Sequence, residues 1–254
     1  MTPLDALAIF AVGTLASIFG SLVGLGGGFV IIPVLRVFFG VPPAQAAGTS
    51  LVMVVANTAA ATVGYVRNRV VDMELALPIS LGAVPGSIAG VFAVKRFSPT
   101  GFDIAYGTLL IVLAILVIRR RSVESRSPAE RSFAHDPRVG VLAGLGVGFF
   151  SSLFGIGGGV VMIPLLLIAA RMPPHIVTAT SAFVITLTAP VGVITHALGH
   201  DVDWVFTAPL VLGGIVGGSV GPIIAKRISS PALVTLLAVA LICAAIGLAL
   251  RHVL

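Results

Sequence analysis

Long apolar segments separated by short polar gaps restrict this chain to a helical membrane fold. A helix rises 1.5 Å per residue, so about 20 apolar residues cross the hydrocarbon core of a bilayer. Most of the segments approach this length, but the second segment of each half is little more than half as long and cannot span alone. The segments cover residues 4–23, 29–39, 44–66, 73–94 and 102–118, and then 139–154, 160–170, 176–198, 204–225 and 232–250.

The composition places the surface of the molecule in lipid. Hydrophobic residues make up 57% of the chain and charged residues 9%, and the mean hydropathy is +1.15. Soluble domains carry about 25% charged residues, so this chain has too few to cover a surface that faces water. The net charge of +6 lies in the gaps between apolar segments, which argues against nucleic-acid binding and favours membrane loops.

A polar stretch at residues 119–138 divides the chain. It contains Pro128 and Pro137 and shows no apolar stripe of helical period, so we interpret it as a solvated linker. It separates a first transmembrane repeat, residues 1–118, from a second, residues 139–254. The N-terminus carries Asp5 and no early Lys or Arg, so we expect no cleavable signal peptide. Cys243 lies in an apolar run and is interpreted as an inert buried thiol.

The two halves repeat one another in sequence. GLGGGFVIIP begins at Gly24 and GIGGGVVMIP begins at Gly155. The offset that aligns these two motifs also aligns other glycines, prolines and charged residues over most of each half, without gaps. The aligned pairs include Pro42-Pro43 with Pro173-Pro174, Thr49-Ser50 with Thr180-Ser181, Asp72 with Asp203, and Lys95-Arg96 with Lys226-Arg227.

The positions of the basic residues favour an inverted arrangement of the halves. If each half reverses its direction through the membrane, most of the 15 Lys and Arg residues lie on the side of the linker. Four crossings per half would divide them more evenly. Because cytoplasmic loops are rich in Lys and Arg, we predict an all-α integral membrane protein of two inverted repeats, each with four to five helical segments. The N-terminus would lie outside and the linker in the cytoplasm of a bacterial inner-membrane protein.

Two glycine clusters predict broken or re-entrant helices. Glycine in a helix interior costs about 1 kcal/mol relative to alanine, so four glycines within five positions favour a break. A break exposes backbone N–H groups, and the positive dipole end of the following helix can bind an anion. Two inverted copies would bring two such ends together near the membrane midplane. The alternative is close helix packing by small residues. The predicted anion-binding glycines are Gly24, Gly26, Gly27 and Gly28, with Gly155, Gly157, Gly158 and Gly159.

Neutral polar side chains supply a second set of candidate ligands. Hydroxyl and amide groups can hydrogen-bond to an oxyanion without placing a charge in hydrocarbon. The alternative is that they bond to their own backbone or to a neighbouring helix. The candidates follow the Pro-Pro turns: Thr49, Ser50 and Asn57 in the first half, and Thr180, Ser181 and Thr188 in the second.

The positions of the ionisable residues argue against cation transport and against a metal site. Every acidic residue lies in a loop or near the end of a segment, and His196 comes nearest to being embedded. A proton relay or a cation site built from carboxylates is therefore not expected. His196 and His200 with Asp201 and Asp203 lie at a turn, and the other half lacks both histidines. We therefore expect neither a metal site nor a cofactor. Lys95-Arg96 and Lys226-Arg227 either attract anions to the entrances or snorkel at the interface.

The duplicated GxGGGxxxxP motif, followed by a Pro-Pro turn and a Thr-Ser pair, resembles the sulfite exporter TauE/SafE family. The likeness covers nearly the whole chain outside the linker. It implies a permease for sulfite, sulfonates or related sulfur-containing anions, without fixing the substrate or the direction. Two alternatives stay open. One is an intramembrane enzyme, although Ser50 and Ser181 lack a matching histidine, and the other is a membrane partner protein that transports nothing.

Overall fold

A computed structural model describes residues 3–119, 136–168, 172–225 and 227–250, and these form ten helices and no strand. The predicted all-α class is confirmed. The observed helices begin and end close to the predicted segments. In the first half they are α1 (Pro3–Val23), α2 (Gly28–Phe38), α3 (Pro43–Arg67), α4 (Met73–Val94) and α5 (Pro99–Arg119). In the second half they are α6 (Pro137–Phe154), α7 (Gly159–Ile168), α8 (Pro174–Leu198), α9 (Trp204–Ala225) and α10 (Ser230–Leu250).

Proline and aspartate set where several helices begin. Helices α3 and α8 start at Pro43 and Pro174, where the missing N–H costs nothing because the first turn of a helix has no partner for it. Helix α4 follows Asp72, whose carboxylate accepts a hydrogen bond from the Leu75 amide at 3.2 Å. Asp136 caps α6 in the same way. These local signals agree with the apolar pattern, which is why the boundaries could be predicted.

The structure is that of a multi-pass membrane protein. Among the described residues, seven helices are long and apolar enough to cross a membrane. Large apolar side chains cover the outer surface, as shown by Leu81 at 71% exposed and Leu142 at 69%. Exposing such side chains to water would be unfavourable, so this surface suits contact with lipid. Cys243 is exposed as well, so the prediction of a buried thiol is wrong. Helices α2 and α7, with 11 and 10 residues, are shorter than a membrane span.

The halves interlock rather than lie side by side. The first helix of each half packs along the fourth helix of the other, so that α1 lies on α9 and α6 lies on α4. Helix α3 packs against α8, and α5 packs against α10. This reciprocal pairing follows the sequence duplication, while the inversion of the halves relative to a bilayer stays a prediction.

Glycine allows the interlocked helices to approach at backbone distance. On α4, Gly82, Gly86 and Gly90 face α6, and a methyl group at any of them would overlap a carbonyl group of that helix. On α9, a methyl group at Gly213 would lie 2.7 Å from the Thr14 amide of α1. The close-packing role of small residues therefore applies on these two helices.

The division into residues 1–118, a linker and residues 139–254 stays a prediction. Residues 120–135 lie outside the described part of the chain, and so does Lys226.

Candidate functional site

Both glycine clusters lie in gaps between helices. The chain leaves α1 at Val23 and enters α2 at Gly28, and it leaves α6 at Phe154 and enters α7 at Gly159. We call residues 24–27 the first break and residues 155–158 the second break. Gly24 has a φ of +80°, and a methyl group there would lie 2.8 Å from the Thr178 backbone. Both the conformation and the space require glycine at this position.

The two breaks contact each other across the centre of the molecule. A methyl group at Gly28 would lie 2.6 Å from the Gly155 carbonyl oxygen, and one at Gly159 would lie 2.5 Å from the Gly24 carbonyl oxygen. Both breaks also pack on Val54 of α3. The structure thus brings the predicted glycines of the two halves together, while their depth in a bilayer stays a prediction.

Helix ends of opposite polarity meet at this contact. Gly27 is the N-cap of α2, and no side chain caps it within the described residues. The carbonyl that faces the start of α2 belongs to Gly155, the C-cap of α6. The start of α7 faces the Gly24 carbonyl at the end of α1 in the same way. A helix carries about half a positive charge at its N-terminus and half a negative charge at its C-terminus, so each break compensates the other.

Two serines brace the breaks across the halves. The Ser50 hydroxyl on α3 donates a hydrogen bond to the Gly155 carbonyl at 3.0 Å, and the Ser181 hydroxyl on α8 donates one to the Gly24 carbonyl at 2.8 Å. Both serines are fully buried. Each therefore links its own half to the break of the other half.

The threonines beside these serines hold the starts of two other helices. Thr49 accepts a hydrogen bond from the Asp203 amide at 2.9 Å, and Thr180 accepts one from the Asp72 amide at 3.0 Å. Thr188 donates to the Val184 carbonyl of its own helix at 2.9 Å. A role for these hydroxyls in binding an anion stays a prediction.

Asn57 ties a break to two helices. Its side-chain amide nitrogen donates to the Ser17 and Gly26 carbonyls, each at 3.0 Å. Its side-chain oxygen has no hydrogen-bond partner within the described residues, although the residue is fully buried. Burying an unpaired polar oxygen is costly. This oxygen is therefore available to accept a hydrogen bond from a donor group of a ligand at the edge of the first break.

A cavity of about 380 Å³ opens between α3 and α9, and a second of about 270 Å³ lies beside it toward α8. Asn68 and Pro222 border both. Thr178, in the wall of the smaller cavity, packs against Gly24, so this residue alone separates the cavity wall from the first break. The smaller cavity is lined by Tyr65, Asn68, Val70, His175, Thr178, Pro222 and Ala225.

The equivalent region of the other half is closed by charged groups. Lys95 at the end of α4 forms an ion pair of 2.8 Å with Asp201, which lies between α8 and α9, and its ammonium group lies 3.4 Å from the Gly199 carbonyl. His196 lies beneath this pair and is fully buried, with Nε2 3.0 Å from the Ser152 carbonyl. Sequence reasoning missed this partner of Lys95, because the two residues come from different halves.

A buried ion pair between α2 and α5 was also missed. Arg36 and Asp103 are 1% and 3% exposed. Arg36 Nε and Nη2 donate to the two Asp103 carboxylate oxygens at 2.8 and 2.7 Å. Arg36 also donates to the Val41 and Pro99 carbonyls at 2.9 and 3.0 Å. The expectation that acidic residues stay near segment ends holds for Asp103 in sequence, but its carboxylate is enclosed by protein.

The duplication carried a signal for this pair. In the register that aligns Gly24 with Gly155, Arg36 corresponds to Leu167 and Asp103 corresponds to Val234. The first half thus departs from the repeat at two positions with opposite charges. Two such changes of opposite charge indicate a contact between the two residues. The resulting ion pair anchors α2 to α5, and the residues aligned with it in the second half, Leu167 and Val234, cannot form one.

In the part of the chain that the structure describes, ten interlocked helices, seven of spanning length, and two helix breaks in contact define a polytopic membrane protein built from two related halves. The chain belongs to the sulfite exporter TauE/SafE family, whose sequence model matches residues 9–248. This confirms the resemblance drawn from the duplicated motif.

Curated relatives carry transporter names. The probable membrane transporter protein YunE of Bacillus subtilis is 29% identical over 92% of this chain and 93% of its own length. A probable membrane transporter protein of Methanocaldococcus jannaschii is 30% identical over 78% of this chain and 74% of its own. A third, from Xylella fastidiosa, is 28% identical over 91% of this chain and 88% of its own. No solved structure matches the chain. The family is thus one of membrane transporters rather than enzymes.

Proposed function

We propose that this protein is a secondary transporter or uniporter for a small sulfur-containing anion, such as sulfite, sulfoacetate or a related sulfonate. The observation that carries the proposal is the contact between the two breaks, where the N-terminal end of α2 faces the Gly155 carbonyl and the N-terminal end of α7 faces the Gly24 carbonyl. Helix N-termini favour anions, and paired discontinuous helices are a common way for transporters to build a central site. The sulfur chemistry comes from the family alone.

The anion binds where the carbonyl groups of the opposite break now lie. Small movements of α2 away from Gly155, and of α7 away from Gly24, uncover backbone N–H groups at the starts of both helices. The same movements release the Ser50 and Ser181 hydroxyls from their carbonyl acceptors, so that both can donate to the anion. The bound anion thus replaces the C-terminal ends of α1 and α6, whose partial negative charge compensates the N-terminal ends of α7 and α2 when the site is empty.

Neutral donors suit a site that has to release its ligand. No Lys or Arg lies among the candidate ligands of the breaks, so the anion is held by hydrogen bonds and helix dipoles rather than by a full countercharge. Relative movement of the interlocked helices then presents the site to the two sides in turn.

The proposed orientation has the N-terminus outside and the linker in the cytoplasm of the bacterial inner membrane. An inside-negative potential then drives an anion outward by roughly 2.3 kcal/mol per charge per 100 mV. Export of the anion follows without a coupled ion.

Flux measurements in proteoliposomes test the proposal. We expect purified full-length protein to move radiolabelled sulfite or sulfoacetate, with a rate that rises when the potential favours movement of the anion. Ser50→Ala and Ser181→Ala each remove a donor worth about 1.5–3 kcal/mol to a charged ligand, so each should reduce transport efficiency about tenfold or more.

Ser219→Ala is the matched control, because among the described residues its hydroxyl bonds only to the Ile215 carbonyl of its own helix. It should leave the flux unchanged. Folded protein that moves none of several oxyanions would refute transport and favour a partner protein that transports nothing.

A further inference from the structure

Two hydrogen-bond donors in the 270 Å³ cavity are unused. Thr178 is 5% exposed, and its hydroxyl makes no hydrogen bond within the described part of the chain. The half-buried imidazole of His175 likewise bonds to no described group. The Ser50 and Ser181 hydroxyls, by contrast, both donate to backbone carbonyls. Both residues line the cavity, so a ligand bound there can accept a hydrogen bond from each.

These donors lie on one face of α8 and lead to the first break. His175, Thr178 and Ser181 are spaced three residues apart, so their side chains follow one another along the helix. His175 and Thr178 line the cavity, and Ser181 bonds to Gly24. An anion that leaves Thr178 therefore reaches the proposed central site after one further helical turn.

The other half has no such row. In the register of the duplication, the positions of His175 and Thr178 are occupied by Ala44 and Ala47. Ala47 packs directly on Gly155, and the neighbouring Lys95–Asp201 ion pair closes that region. The row of donors thus lies on the side of the 270 Å³ cavity and is not repeated beside the Lys95–Asp201 ion pair.

The surroundings of the cavity suit an anion with a small apolar part. Exposed Arg67 borders the adjoining larger cavity, and Arg69 is exposed in the loop that follows α3. Their charge raises the local concentration of anions. The remaining wall is apolar and consists of Val70, Pro222 and Ala225.

We propose that this cavity is an entry site for the transported anion, in which Thr178 and His175 donate hydrogen bonds to a sulfonate or sulfite group. The apolar wall then accommodates a short carbon chain, which favours small organic sulfonates over inorganic sulfite. This inference rests on the proposed function and adds a second binding site, on the linker side of the first break.

Calorimetric titration of the purified full-length protein with sulfoacetate tests the entry site. Loss of one hydrogen bond to a charged group corresponds to about a tenfold increase in Kd, and we expect this for Thr178→Val and for His175→Ala. Thr178→Ser keeps the hydroxyl and should restore binding to within about threefold. Thr195→Val is the matched control, because its hydroxyl bonds to the Val191 carbonyl of its own helix and to no other described group. This variant should bind as the wild type does.

The outcomes separate the two proposals when flux is measured on the same proteins. Wild-type protein that moves sulfoacetate, together with Thr178→Val and His175→Ala variants of unchanged Kd and KM, would overturn the entry site and leave transport standing. Wild-type protein that neither binds nor moves any sulfur oxyanion would overturn the proposed function, and the entry site with it. Weakened binding in Thr178→Val with recovery in Thr178→Ser supports the entry site.

Discussion

The buried Arg36–Asp103 pair provides a sharp test of how this fold is stabilised. Removing either partner leaves the other charge enclosed by protein. Without Asp103, the acceptors left to Arg36 among the described residues are two backbone carbonyls. Breaking a buried pair in this way costs about 3–5 kcal/mol. We therefore expect Arg36→Leu and Asp103→Val each to lower the free energy of unfolding by that amount.

The duplication supplies the compensating variant. The double substitution Arg36→Leu/Asp103→Val installs the residues that the second half carries at these positions, Leu167 and Val234. Well-packed apolar replacements of a buried pair are often neutral or stabilising, because no desolvated charge remains. The double variant should therefore be more stable than either single variant, by about 3 kcal/mol or more.

The assay is equilibrium unfolding in mixed micelles, followed by circular dichroism, for the wild type, both single variants and the double variant. The coupling free energy comes from the resulting double-mutant cycle. Lys95→Gln is a control of the same kind at a partly exposed pair, in which the lysine side chain is 38% exposed. It should cost less than about 1 kcal/mol. Single variants that each cost less than about 1 kcal/mol, or a double variant as unstable as the sum of both, would refute the reasoning.

Two further predictions concern the first break and the region that the Lys95–Asp201 ion pair closes. Gly24→Ala forces an alanine to adopt a φ of +80° against a neighbouring backbone and should cost about 1–3 kcal/mol or more, with loss of flux. Gly107→Ala is its control, since a methyl group there meets nothing within 4 Å, and it should stabilise α5 by about 0.5–1 kcal/mol in the same unfolding assay. Lys95→Gln should speed hydrogen exchange of the amides at residues 199–203, as measured by mass spectrometry, because it frees Asp201. Unchanged exchange there would show that the ion pair does not hold this loop.

The helices could be predicted because local signals agree with one another. Apolar run lengths, the Pro-Pro turns before α3 and α8, and the N-capping residue Asp72 all mark the same boundaries. Each signal depends on neighbouring residues alone, so tertiary structure is not needed to interpret it.

Partners of polar groups could not be predicted in this way. Thr49 was predicted as a ligand of an anion, and the structure shows it holding the Asp203 amide. A hydroxyl can serve either role, and packing between the halves decides which group lies near it. Lys95 and Asp201 are likewise distant in sequence, and only the interlocking of α4 with the second half brings them together.

The reciprocal packing of the halves also constrains biosynthesis. The glycine face of α4 is complementary to α6, which follows the linker in sequence and is therefore made later. When the first half has entered the membrane, α1 and α4 both lack their principal neighbours, and lipid covers the faces that later become protein contacts. Insertion of the first five helices thus precedes their folding, and the native arrangement forms when the second half displaces that lipid. A chain interrupted within the linker would assemble only if both fragments were inserted in the same membrane.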